Sequence, residues 1–138
     1  MRIGLTLLLI GFFGISNVWS QQLETESGPV EIVAIWIYAD WCEDCEESEE
    51  AFEKLKEQWH QNGTYFRKFD MSDEFTRTGA REFAELMGLE DILEEHETDA
   101  GTFILVDAPD RKTMTTYEDG FGYTEVNEKI RERLEAED

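Results

Sequence analysis

An apolar run from Val30 to Tyr38 breaks off at Ala39-Asp40 and is followed at once by Trp41-Cys42-Glu43-Asp44-Cys45, where a helical pattern opens. The run is dense in β-branched and aromatic residues (Val33, Ile35, Trp36, Ile37), with almost no polar alternation. That pattern fits a central strand covered on both faces. Behind the cysteines, Phe52, Leu55 and Trp59 recur at helical spacing with Ala51 beside them, while Glu46, Glu47, Glu49, Glu50, Glu53 and Lys54 mostly take the wet side. The chain has two cysteines and both lie at this junction. A disulfide closing so short a loop constrains little of the unfolded chain. The same pair at the start of a helix is well placed to react, which favours a redox dithiol over a structural staple.

The rest of the chain supplies the partners for that strand. Asn62-Gly63 stops the first helix, and Thr64 to Phe69 alternates as a second strand. Residues 70–78 read as a polar connection. Gly79 to His96 reads as helix broken near Gly88, with Phe83, Leu86 and Met87 supplying one core face and Ile92 and Leu93 another. Thr102 to Val106 is a third strand, Asp107-Ala108-Pro109-Asp110 a turn, and Lys112 to Tyr117 a more polar fourth strand nearer a sheet edge. Thr124 is the expected cap of a last helix striped by Val126, Ile130 and Leu134. A right-handed crossover makes the first two strands parallel. The turn through Pro109 makes the last two an antiparallel hairpin. The expected fold class is α/β: a small mixed four-stranded sheet with helices on both faces.

The N-terminus bears on where such a pair would work. Met1-Arg2 is a short basic start, Ile3 to Ile15 is apolar apart from Thr6 and glycines, and Val18 and Ser20 precede Gln21-Gln22. This reads as a secretory signal peptide over 1–20, followed by a flexible lead over 21–29 and one domain over 30–138. An uncleaved anchor is the alternative, but the apolar run is short for a full span. The expected location is the periplasm or outright secretion, with no stable membrane anchor after cleavage. A formal charge of −21 disfavours nucleic acid and anionic membrane as partners. A hydrophobic content of 41% with clear periodicity argues against disorder despite that charge. A salt-rich environment, which screens self-repulsion, would be one setting for so acidic a protein.

Taken together, the element order and the stretch Ile37-Tyr38-Ala39-Asp40-Trp41-Cys42-Glu43-Asp44-Cys45 resemble the thioredoxin superfamily, from about Val30 to Leu134. The resemblance implies a thioredoxin-like fold and thiol–disulfide exchange. Cys42 would then attack, Cys45 would resolve, and Trp41 would shape the surface beside the nucleophile. It also implies cysteine-containing exported proteins and a separate redox protein as partners, and no cofactor or metal. This chain departs from the family pattern in three places. Glu43-Asp44 stands between the cysteines, where thioredoxins proper usually have glycine and proline. Trp36 stands on the strand where the family often has a buried carboxylate. Gly101, before Thr102, takes the place of the family's cis-proline. Gly101-Thr102 is expected to face the dithiol with the Ala100–Gly101 peptide in trans, because a cis bond before a non-proline residue costs about 2.5–4 kcal/mol.

The acid around the pair sets its chemistry. Free N–H groups at a helix start stabilise a Cys42 thiolate. Glu43, Asp44, Asp40 and Glu46 oppose it by like charge. A destabilised thiolate favours the disulfide, which points to a reductant or mild exchanger. Trp36 reads as core packing, His60 as a helix-end residue, and His96 as solvated helix surface among Glu94, Glu95, Glu97 and Asp99. Two other classes remain open at this stage: a thioredoxin-fold binding or scaffold module with little turnover, and a dithiol handling a soft metal ion.

Overall fold

A computed structural model describes residues 24–25 and 28–136, so the segment 1–20 read as a signal peptide lies outside the described residues. The elements are β1 (Glu24–Thr25), β2 (Gly28–Pro29), β3 (Ile32–Tyr38), α1 (Glu43–Trp59), β4 (Thr64–Asp70), α2 (Glu74–Met87), α3 (Glu90–His96), β5 (Phe103–Asp107), β6 (Lys112–Tyr117) and α4 (Tyr123–Glu135). Within the span expected as a lead, β1 and β2 pair antiparallel, Glu24 with Pro29 and Thr25 with Gly28.

The main sheet has the order β4-β3-β5-β6. β3 runs parallel to β4 from Ile32↔Thr64 to Tyr38↔Asp70, and antiparallel to β5 from Ile32↔Asp107 to Trp36↔Phe103. β5 and β6 form the antiparallel hairpin, with a register shift at Leu105/Val106. The side-chain period of two explains why β3 had to be apolar throughout. Val33, Ile35 and Ile37 enter one core with Phe69, Ile104 and Val106. Ile32, Ala34 and Trp36 enter the other with Phe52, Leu55, Phe103 and Leu105. The first core is capped by Ala80, Ala84, Ile92 and Leu93 from α2 and α3, and the second by α1 with Val126 and Ile130 of α4.

Four local expectations are corrected. The second helix starts at Glu74, inside the stretch read as a polar connection. Asp73 caps it by accepting from the Thr76 N–H at 2.9 Å, and Thr76 Oγ1 in turn accepts from the Asp73 N–H at 3.1 Å. This reciprocal box satisfies two of the free N–H groups and lets the helix begin in polar sequence. Leu86 is 84% exposed rather than core. The buried stripe of α2 runs through Ala80 and Ala84, with Phe83 and Met87 packed beside it, and Leu86 falls one step round the helix away from it. His96 is buried, not solvated, with Nδ1 3.6 Å from Asp99 Oδ2. The last helix is capped at Gly122, whose N–H donates to Glu125 Oε1 at 3.0 Å, so Thr124 lies inside the first turn.

Gly79 now sits inside α2 rather than at its start, and a Cβ built there meets no atom within 4 Å. Its conformational freedom therefore serves no packing need. Gly79→Ala is expected to stabilise the domain by about 0.5–1 kcal/mol, read as a rise in the urea midpoint at unchanged m-value.

Candidate active site

The site forms where β3 hands over to α1. Beyond Tyr38, the buried Ala39 accepts from the Cys42 N–H at 3.2 Å, which turns the chain into the helix. The Asp40 N–H donates to Ser72 Oγ at 2.8 Å, and the Met71 N–H to Tyr38 O at 2.7 Å, so the loop after β4 braces this turn. Trp41 stands out at 67% exposure. Cys42 is the N-cap of α1 in extended conformation, and its Sγ accepts from the Cys45 N–H at 3.2 Å. Cys42 and Cys45 are joined as a disulfide with Cα atoms 5.2 Å apart.

The two sulfurs differ in access. Cys42 is half-buried at the mouth of a cleft of about 200 Å³ lined also by Tyr38, Ala39, Asp40, Glu46 and Glu49. Cys45 is 1% exposed, and its Sγ lies 3.9 Å from the carbonyl oxygen of Ile37. Attack from solvent therefore reaches Cys42 and not Cys45. Glu43 is exposed in the first turn of α1 and Asp44 half-buried beside it. Tyr38, in the cleft wall, has its phenol pushed upward by desolvation first, then by Glu49, Asp70 and Asp40.

Trp36 fills the strand position behind the disulfide completely, at 0% exposure. It packs on Phe52 at 4.8 Å, Tyr38 at 5.3 Å and Phe121 at 5.8 Å between ring centroids. The Lys68 ammonium lies 4.4 Å from the Tyr38 ring centroid and 5.2 Å from that of Trp36. The region beneath Cys45 is thus an aromatic wall with a cation at its margin, and among the described residues this core cluster around Cys45 contains no carboxylate.

Gly101 lies against the pair. A Cβ built on it would sit 3.5 Å from Cys42 Sγ and 3.4 Å from Asp44 Cβ. Its φ is +100°, and no cis peptide bond occurs among the described residues. The Gly101 N–H donates to Ile37 O at 2.8 Å, the same carbonyl that faces Cys45 Sγ. Thr102 follows, buried, its carbonyl accepting from the Ile37 N–H at 2.9 Å and its own N–H donating to Asp99 O at 3.1 Å. The structure thus brings Trp41, Cys42, Glu43, Asp44, Cys45 and Gly101 to one end of the sheet, with Thr102 behind them.

Two further residues hold this end together, and the sequence placed neither of them at the site. Gly120 donates its N–H to Gly101 O at 3.2 Å at a φ of +97°. Ser48 Oγ accepts from the Phe121 N–H at 3.2 Å and would lie 3.2 Å from a Cβ on Gly120. The signal for Ser48 was its place in the series 45, 48, 52, 55, whose members are all buried on α1. Gly120 carried only the general signature of a turn.

No protein-family model and no curated protein sequence matches the chain. Solved structures do. One described as a malarial protein matches at TM-score 0.51 and 14% identity, over 75% of this chain and 98% of that one. StoA from Bacillus subtilis matches at TM-score 0.51 and 11% identity, over 78% of this chain and 92% of its own. Thioredoxin-2, a component of malaria parasite protein secretion machinery, matches at TM-score 0.50 and 15% identity, over 74% of this chain and 82% of its own. With its β4-β3-β5-β6 sheet, its flanking helices and its cysteine pair at the start of α1, the chain has the thioredoxin fold.

Proposed function

We propose that this protein is a thiol–disulfide oxidoreductase of the extracytoplasmic space, acting as a reductant or mild exchanger on cysteines of exported proteins. The observation that carries the reading is the asymmetry of the pair. Cys42 opens to solvent at a helix N-cap, while Cys45 is 1% exposed behind it. Exchange through a mixed disulfide needs one sulfur that a partner can reach, and a dithiol releases that partner with a second sulfur held close to the first. The apolar start of the sequence, read as a signal peptide, supports placing it outside the cytoplasm, where cysteines of exported proteins are the available substrates. Titration of the purified domain in a defined redox buffer, followed by turnover on a protein disulfide, tests the reading. A pair that titrates reversibly and reduces the substrate catalytically supports it; one that titrates without turnover leaves the scaffold alternative standing.

The reducing bias follows from opposed terms of similar size. The helix terminus favours a nearby anion by about 0.3–1 kcal/mol. A unit charge about 4 Å away in water opposes it by roughly 1 kcal/mol. Glu43, Asp44 and Glu46 all lie in the first turn of α1, so the acids offset the helix. Glu43→Gln with Asp44→Asn is expected to lower the Cys42 pKa by on the order of half a unit and to raise the midpoint potential. Thiolate absorbance against pH and equilibration with a redox buffer read the two quantities. No movement in either would mean that the helix and more distant charges dominate.

A further inference from the structure

Four loops meet around Cys42, and they are tied to one another by hydrogen bonds. Residues 39–42 are joined to residues 71–73 through the Asp40 N–H and Ser72 Oγ at 2.8 Å. Residues 97–102 are joined to the end of β3 through the Gly101 N–H and Ile37 O at 2.8 Å. Residues 118–122 are joined to Gly101 through the Gly120 N–H at 3.2 Å. Each loop carries acid, including Asp40, Asp73, Asp99 and Asp119, and none of the four contains a lysine, arginine or histidine. The cleft beside Cys42 adds Glu46 and Glu49. One cation borders the cleft: the Lys68 ammonium lies 4.4 Å from the Tyr38 ring centroid, against the three carboxylates of Asp40, Glu46 and Glu49, while Arg77 pairs with Glu74 and Arg81 with Glu74 and Glu97.

We propose that this site selects cationic substrates: disulfides whose sulfurs lie next to lysine, arginine or another ammonium group. The proposal rests on the exchange reading and adds its substrate class. The acid alone would describe only a solvated surface. What makes it selective is its position around a reachable sulfur at the mouth of a cleft of about 200 Å³. A substrate must bring its own sulfur into bonding distance of Cys42, so its flanking groups enter the field of these carboxylates. A cation there is attracted and an anion repelled, and clefts lined by one sign of charge change encounter rates by about 10–10³-fold. In the cleft wall, desolvation and then Glu49, Asp70 and Asp40 push the Tyr38 phenol upward.

The step itself balances. The Cys42 thiolate attacks one substrate sulfur, the Cys42–substrate bond forms, the substrate disulfide breaks, and one thiolate leaves. Cys45 then loses its proton to solvent and attacks Cys42. The second substrate thiolate leaves and takes up a proton, and two electrons have passed from the dithiol to the substrate.

The test uses the wild-type protein, reduced and freed of reductant, with three small disulfides: cystamine as the dication, 2-hydroxyethyl disulfide as the neutral probe and oxidised glutathione as the anion. Each rate is divided by the rate of dithiothreitol with the same disulfide, which removes differences in intrinsic reactivity. At low ionic strength the normalised rate for cystamine is expected to exceed that for glutathione disulfide by tenfold or more, and added salt should shrink the ratio. Asp40→Asn with Glu46→Gln and Glu49→Gln should shrink it at low salt as well. Equal normalised rates for the three probes at low salt would overturn the charge selection while leaving the exchange reading intact. No exchange with any probe would remove that reading, and the selection with it.

Discussion

Replacing Cys45 with alanine is expected to leave Cys42 covalently attached to its partners. The exposed sulfur still attacks, but the residue that would release the mixed disulfide is gone. The buried position of Cys45 makes the prediction directional, since an incoming disulfide reaches the half-buried Cys42 and not Cys45. Complexes resolved on a non-reducing gel should appear with Cys45→Ala and vanish on addition of dithiothreitol. Cys42→Ser should give none and should reduce turnover on a protein disulfide to background. Mass spectrometry that found partners on Cys45 after removal of Cys42, and none on Cys42 after removal of Cys45, would reverse the roles. Neither substitution creates a large cavity or an unpaired buried charge, so the folded domain should survive both and the readout should report chemistry.

Much of this site was legible because it lies on elements with strong sequence signals. β3 is apolar at every step, because it is covered on both faces, and the cysteines follow it at a helix start. The alternation that sorts Ile35 from Trp36 into different cores cannot be seen within a run that is apolar on both faces; it needs the register with β4 and β5. The start of α2 was hidden for a different reason. Its first turn is polar apart from an exposed Phe75, and Gly79 follows in the second, so propensity and periodicity both argued against a helix, and the Asp73–Thr76 box outweighed them. Leu86 misled because hydrophobicity alone does not say which side of a helix meets the sheet. His96 was read from its acidic neighbours in sequence, while its burial is set by packing at the end of α3. The place of Gly101 beside Cys42 rested on the order of elements, and no local residue pattern carried it.

Substituting proline for Gly101 is expected to damage the protein, although the family pattern that the sequence resembles has a proline at this point. The loop has settled into a path that proline cannot follow. Gly101 has a φ of +100°, whereas the proline ring fixes φ near −65°. Its N–H is the donor to Ile37 O at 2.8 Å, and proline has none to give. Losing that bond while leaving the carbonyl buried costs about 1–3 kcal/mol, and a mismatched backbone adds to it. The summed loss should be roughly 3 kcal/mol or more, a large fraction of the stability of a domain of this size. Gly101→Ala isolates the dihedral term, since it keeps the N–H. It places a Cβ 3.5 Å from Cys42 Sγ and 3.4 Å from Asp44 Cβ, contacts the site tolerates, and leaves about 1–2 kcal/mol of left-handed strain. Urea unfolding of the two variants should therefore order them wild type, alanine, proline. The potential offers a separate check, because Ile37 O also faces Cys45 Sγ at 3.9 Å. With its donor from Gly101 removed, that carbonyl is freer to accept from the reduced Cys45 thiol, which should shift the midpoint potential upward in any proline variant that still folds. A proline variant as stable as the wild type would show that the loop can move to a path with negative φ, and that the bond between Gly101 and Ile37 does not hold it.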